Sequence, residues 1–277
     1  MSDIAGIQST YGIVGREREL RLALAVLASG RNLLLEGPVG VGKTTVALAV
    51  CGHIARLVIR VDGDERYTEN KLTGWFDPPL VLRSGYNDAS FFPGPLVQAM
   101  REGSILFINE MNRMPESVQN VLLPALDEHL LILPRIGEVR AKEGFQVIAT
   151  QNPVEYIATG HLSEALKDRF ERIPLHYQDE TEERLIVARE TGCTDEDLVR
   201  TAVKVVRETR VRPQFRKGAS VRAAISMVSI VGKLDGAPDR LLSAAMAALP
   251  TRIELKDDEE TDLEKLITEI IDTVKKN

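Results

Sequence analysis

The chain is poor in several residue types, and each scarcity argues against a class of function. Its 277 residues hold two cysteines, Cys51 and Cys193, far apart and without a CxxC partner. That argues against a disulfide-stapled scaffold or a thiolate zinc site, and buried free thiols are expected. The four histidines, His53, His129, His161 and His176, are scattered and form no HExxH-like pair, so no zinc site is expected. No apolar run approaches the roughly 18 residues of a membrane span. The opening Met1-Ser2-Asp3-Ile4-Ala5 lacks a basic segment leading into an apolar one, so no secretory leader is expected and the cytoplasm is the expected location. Basic excess is absent too. The formal net charge is −6, and residues 254–277 alone hold nine acids against four bases, a balance of −5. The rest is near neutral, with no basic stripe, which disfavours nucleic acid as a partner.

What remains is ordinary globular material, 44% hydrophobic and 27% charged, long enough for one large or two modest domains. The most informative stretch is residues 37–44, Gly37-Pro38-Val39-Gly40-Val41-Gly42-Lys43-Thr44. It follows the apolar Leu33-Leu34-Leu35 and precedes a helical pattern from Thr45 onward. This is G-x-x-x-x-G-K-[ST] in a strand–loop–helix setting. The glycines let successive backbone N–H groups face phosphates, Lys43 reaches the β- and γ-phosphates, and the Thr44 hydroxyl coordinates Mg²⁺. The helix then aims its partially positive N-terminus at the same anion. A nucleoside triphosphate is the expected ligand.

Five short apolar runs read as buried strands: 32–36, 57–61, 105–108, 146–150 and 172–175. Helical segments between them predict an α/β core with a parallel sheet. Two stretches interrupt the alternation. Residues 67–95 are rich in Gly, Pro and Asp and carry the only tryptophan, Trp75; residues 130–142 read as a hairpin. After Tyr177 the strand signals stop. Residues 181–190, 194–211, 220–233 and 238–249 are helical by period, with Thr181, Thr194 and Ser220 as expected N-caps. Leu263, Leu266, Ile267, Ile270, Ile271 and Val274 then form one amphipathic stripe, suited to packing on the body or docking another chain. The expected division is an αβα core over 1–176 and an all-helical unit over 177–277.

Four further segments fit phosphate chemistry. Ile105-Leu106-Phe107-Ile108 ends in Asn109-Glu110, at the sheet edge where ligands of parallel sheets bind. In P-loop ATPases an Asp at the first position serves Mg²⁺ and a neighbouring Glu can polarise water. Asn109 can still accept a hydrogen bond from a metal-bound water but adds no charge, so weaker metal binding than with Asp is expected. Glu110 is the candidate base. Val147-Ile148-Ala149-Thr150-Gln151 leads to Asn152-Pro153, where Asn152 can orient both water and the γ-phosphate. Arg169, in Leu166-Lys167-Asp168-Arg169-Phe170, offers a guanidinium fork; its alternative role is an ion pair with Asp168 or Glu171. Arg222 opens a helix, where a cation gains nothing from the helix dipole.

In this order, Val14-Gly15-Arg16-Glu17, GPVGVGKT, Phe92-Pro93-Gly94-Pro95-Leu96, Asn109-Glu110-Met111-Asn112-Arg113, ATQNP, LKDRF and GASVRA, the chain resembles the AAA+ ATPases, and the MoxR family in particular. The resemblance spans about residues 12–255. It implies an αβα P-loop core whose parallel sheet has five strands, an all-α lid and a ring, usually a hexamer, with ATP and Mg²⁺ as cofactors. Residues 74–95 would be the helix-2 insert and 130–142 the pre-sensor-1 hairpin. Asn152 would be sensor 1, Arg169 the arginine finger and Arg222 sensor 2. Val14 and Gly15 would lie near the adenine, and Gly37 to Thr45 (Gly37, Pro38, Val39, Gly40, Val41, Gly42, Lys43, Thr44, Thr45) would hold the phosphates, with Thr44 and Asn109 at the metal. The implied work is chaperone-like remodelling of a protein client, commonly with a separate von Willebrand factor A domain protein. Two other readings stay open: a motor in a chelatase-like or restriction complex, and a nucleotide-gated scaffold with little turnover, suggested by Asn109.

Overall fold

The structure, a computed structural model, describes residues 3–153, 162–234, 239–256 and 262–276. The expected helix start at Pro238 and the histidine His161 lie outside them. The chain divides into two compact units: Met1–Pro38 with Gly42–His176, and Val39–Val41 with Tyr177–Asn277.

The first unit is built on a parallel sheet of five strands, numbered β1 to β5 in chain order: Asn32–Glu36, Val58–Asp62, Ile105–Asn109, Gln146–Gln151 and Phe170–Pro174. Their spatial order is β2-β3-β4-β1-β5. The central strands β3 and β4 are buried almost throughout. Helices cover both faces of such a sheet, so these strands read as continuous apolar runs. The edge strands β2 and β5 mix buried and exposed positions. That is why β5 begins at Phe170 rather than 172, and why β2 extends past Val61 to Asp62. With this order the carboxyl ends of β1, β3 and β4 lie together, next to the loop leaving β1. The helix Lys43–His53 follows that loop and buries Val46, Ala47, Ala49, Val50 and Cys51.

The two interrupting stretches form antiparallel hairpin-like pairs. Gly74–Phe76 pairs with Phe91–Pro93, and Leu130–Leu133 with Gly137–Arg140. Between the first pair runs a helix, Pro78–Ser84, capped by Asp77, whose carboxylate accepts from the Leu80 N–H at 2.9 Å. Gly74 is obligatory there: at φ +126° a Cβ would also lie 2.4 Å from the Phe92 carbonyl oxygen.

The second unit is helical: Glu180–Thr191, Glu196–Val211, Val221–Val231, Arg240–Ala248 and Leu263–Lys276, with one short ladder between Phe215–Lys217 and Glu254–Leu255. Its first two helices are capped by Asp179 and Asp195 rather than by Thr181 and Thr194. Each carboxylate accepts an N–H three residues on and also faces the positive helix end. The apolar stripe of Leu263–Lys276 is spent inside this unit, burying Leu266, Ile267, Ile270, Ile271 and Val274. A buried carboxylate, Glu183, is matched by Arg210 at 2.7 Å and Arg207 at 3.0 Å. Among the described residues, no helix is long and apolar enough to cross a membrane.

Candidate functional site

At the carboxyl end of the sheet, the register sets Asp62 beside Asn109, and Leu35 beside Thr150. The chain between β1 and the next helix turns with Gly40 at φ +80° and Gly42 at φ +89°, values that favour glycine. A Cβ at Gly42 would meet nothing within 4 Å, so its face of the loop is open. Lys43 begins the helix, buried, with Nζ donating to the carbonyls of Gly37 at 2.7 Å and Pro38 at 2.8 Å. Its ammonium therefore lies against the loop. Thr44 and Thr45 occupy the first turn.

The Thr44 hydroxyl donates to Asn109 Oδ1 at 2.9 Å. Since a hydroxyl has one proton, its oxygen lone pairs remain for a cation. Asn109 Oδ1 also accepts from the Thr150 hydroxyl at 3.0 Å, while Nδ2 donates to Asp62 Oδ1 at 2.9 Å. Thr150 is fully buried, and its oxygen accepts from the Glu110 N–H at 2.8 Å. That bond holds Glu110 in a left-handed conformation, φ +54°, at the sheet edge. The Glu110 carboxylate pairs with Arg113 at 3.0 Å, both ends about two-fifths exposed. Asp62 is held ionised below the usual carboxylate range, first by hydrogen bonding from Arg60 and then by the Asn109 amide.

A magnesium–nucleotide fits these residues. The loop offers an open glycine face, the ammonium is at its rim, and the Thr44 oxygen is a hard ligand. Among the described residues, no group of three His, Cys, Asp or Glu side chains could hold a metal. Mg²⁺ characteristically needs no such cage, because phosphates and water fill most of its octahedron.

The remaining candidates are distributed as follows. Asn152, at the end of β4, is 5% exposed, and its backbone exchanges bonds with the Asn112 side chain at 3.3 and 3.4 Å. Arg169 forms a two-pronged pair with Asp127, at 2.8 and 2.7 Å. Its ion-pair partner is thus neither Asp168 nor Glu171 but a residue 42 positions upstream. Gly15 adopts φ +63° and its carbonyl accepts from Gln8 at 2.6 Å, next to Val14. Arg222 is exposed on the first turn of Val221–Val231, and no hydrogen bond or ion pair to it is found among the described residues. Within the second unit, which includes Val39–Val41, a Cβ at Gly40 would come 2.3 Å from the Ser220 Oγ.

Sequence reasoning missed Asp62 and Thr150. Thr150 stood in a quoted motif whose only assigned residue was Asn152. Asp62 was lost because the apolar run stopped at Val61. The usable signal was an acid directly following a strand, level with Asn109.

The family model for the AAA domain, dynein-related subfamily, matches residues 32–170, half of the chain, from the start of β1 to the first residue of β5. The chain belongs to this AAA family. YojN of Bacillus subtilis (strain 168) is 32% identical over 228 residues, covering 79% of this chain and 74% of YojN. The gas vesicle ATPase GvpN of Ancylobacter aquaticus is 28% identical, covering 78% of this chain and 64% of GvpN. Among solved structures, NtrX from Brucella abortus in complex with ADP aligns with TM-score 0.59 at 18% identity, over 95% of this chain and 62% of NtrX. That likeness speaks to fold alone. The AAA domain accounts for the P-loop and the sheet order, and the chain is a nucleotide-binding ATPase of that class.

Proposed function

We propose that this AAA protein hydrolyses ATP with Mg²⁺ in a ring, and that turnover remodels a protein client, as the MoxR resemblance implies. The observation that carries the reading is the 2.9 Å bond between Thr44, from the P-loop, and Asn109, at the end of β3. It joins the phosphate loop to the strand that presents Glu110. Thr44 and Asn109 are the residues that would hold Mg²⁺, which would supply neutralisation of the charge developing on the phosphates. The chain's own residues do the rest. Loop N–H groups and Lys43 orient the phosphates, and Glu110 takes the proton of the attacking water. Asn152, buried and backbone-locked by Asn112, orients water against the γ-phosphate. Arg169, from a neighbouring subunit, stabilises the transferring group, and Arg222 is assigned to sense the nucleotide from the helical unit. In the single chain this guanidinium fork is engaged by Asp127 and the Ala165 carbonyl, so Arg169 exchanges the Asp127 carboxylate for phosphoryl oxygens when the neighbouring nucleotide is presented. The insert over 74–95 and the hairpin over 130–142 are the elements assigned to client contact. Exposed Trp75 and Phe92, stacked 6.1 Å apart, and exposed Ile132 give them apolar surface. A separate protein with a von Willebrand factor A domain is the proposed adaptor.

The experiment is subunit mixing. Arg169→Ala should bind ATP yet barely hydrolyse it, since such fingers contribute about 10³–10⁵ in rate. Lys43→Ala keeps its finger but loses the nucleotide. Mixed, with subunit exchange confirmed, the two should recover part of the phosphate release. A mixture no faster than the sum of its parts contradicts the shared site.

A further inference from the structure

Position 109 carries an amide, yet the site has a carboxylate within one hydrogen bond of it. The orientation of Asn109 follows from its neighbours. Two hydroxyls, of Thr44 and Thr150, donate to Oδ1, and the Asp62 carboxylate, which when ionised has no proton to donate, accepts a hydrogen bond from Nδ2. The opposite flip would set an amide donor against both hydroxyl donors and a carbonyl against a carboxylate. The backbone fixes the approach of Asp62. The Gly63 N–H donates to the Asn109 carbonyl at 2.7 Å, and a Cβ at Gly63 would lie 2.1 Å from the Glu110 carbonyl oxygen. Only glycine lets β2 leave the sheet so close to β3.

We propose that Asp62 is a positioning residue of the Mg²⁺–nucleotide site, supplying through the Asn109 amide the negative charge that an acid at position 109 would supply directly. The chain carboxylate–amide–hydroxyl runs Asp62 to Asn109 to Thr44, and each bond polarises the next. Its end is the Thr44 oxygen. Electron density is thereby pushed toward the atom assigned to the cation, and the carboxylate's field adds to it. The same arrangement explains why Asn stands at 109: with Asp62 in place, a second acid there would face a like charge. Arg60 donates to the same Asp62 Oδ1 at 2.8 Å, which keeps the carboxylate ionised and fixes the oxygen that faces the Asn109 amide. This inference rests on the ATPase reading.

The test uses Mn²⁺ as the probe, titrated into the full-length protein with ATP and followed as free Mn²⁺ by electron paramagnetic resonance. Three proteins are compared: wild type, Asp62→Asn, and the reciprocal double variant Asp62→Asn with Asn109→Asp. Removing one charge several ångströms from the cation near solvent should weaken Mn²⁺ by about five- to tenfold. ATP affinity in EDTA should stay at the wild-type value, which also reports an intact fold. The double variant moves the charge one strand over, nearer Thr44, and keeps a carboxylate–amide pair, so it should bind Mn²⁺ at least as tightly as wild type does. Wild-type Mn²⁺ affinity in Asp62→Asn overturns the proposal. So does a double variant as weak as the single one, because the loss would then be structural rather than electrostatic. If wild type itself bound no ATP, the ATPase reading would fail first, and this inference with it.

Discussion

Replacing Asn109 by Asp looks, from the sequence, like the repair of a defective metal site. The structure predicts a cost as well. The substituted oxygen would face Asp62 where Asn109 Nδ2 now donates at 2.9 Å, turning a bond into a like-charge contact. Two unit charges about 4 Å apart repel by about 1 kcal/mol in water and about 4 kcal/mol at an effective dielectric of 20. The Asp62 side chain is 60% exposed, so screening favours the lower end. A loss of about 1–2 kcal/mol in a domain of this size lowers the melting temperature by about 2–8 °C. The pH dependence has a definite sign. The paired acids would titrate above their unfolded value of about 4, so the penalty is absent below pH 4. It builds as pH rises from the unfolded value toward the raised folded one and is complete above that. Mg²⁺ with ATP should cancel part of it. The assay is a set of thermal melts of both proteins from pH 4 to 8, with and without Mg²⁺ and ATP. Superimposable metal-free melts at pH 7 would refute the argument, because Asp62 and residue 109 would then not face each other.

Two further outcomes follow from buried groups. Thr150→Val removes the hydroxyl that accepts from the Glu110 N–H and donates to Asn109. It should cost about 1–3 kcal/mol in urea unfolding and lower kcat, while Thr150→Ser keeps both; equal kcat in the two variants would detach Thr150 from Glu110. Burial pushes the Cys51 thiol up to about 12, whereas Cys193 is partly accessible. Ellman's reagent at pH 8 should therefore titrate one thiol in the native protein and two in guanidinium, and two native thiols would place Cys51 outside the core.

The legible parts of this fold were those in which one physical signal dominates. β1, β3 and β4 are buried on both faces, so their apolar runs announced them, and the P-loop announced itself by glycines that its left-handed turns require. The edge strands were blurred because half their side chains meet water, and that blur hid Asp62. The partner of Arg169 was invisible for a different reason. Asp127 lies 42 residues away, brought in only when the short helix Glu164–Lys167, just before Arg169, packs beside the helix Leu122–Asp127. Local sequence offered two nearer acids, and proximity along the chain was the wrong guide. Ser220 does stand at the N-cap of its helix, though without a side-chain capping bond. Thr181 and Thr194 lost their places to Asp179 and Asp195, since Thr and Asp both cap but a carboxylate adds charge against the helix dipole.

Phosphate release with Mg²⁺–ATP, measured beside ATP binding for wild type, Lys43→Ala and Glu110→Gln, tests the central claim most directly. The account predicts turnover by wild type, no binding by Lys43→Ala, and binding with turnover reduced at least about a hundredfold in Glu110→Gln, the lower range for a positioned base. A Glu110→Gln protein that releases phosphate at the wild-type rate, or a Lys43→Ala protein that keeps wild-type affinity, would contradict it.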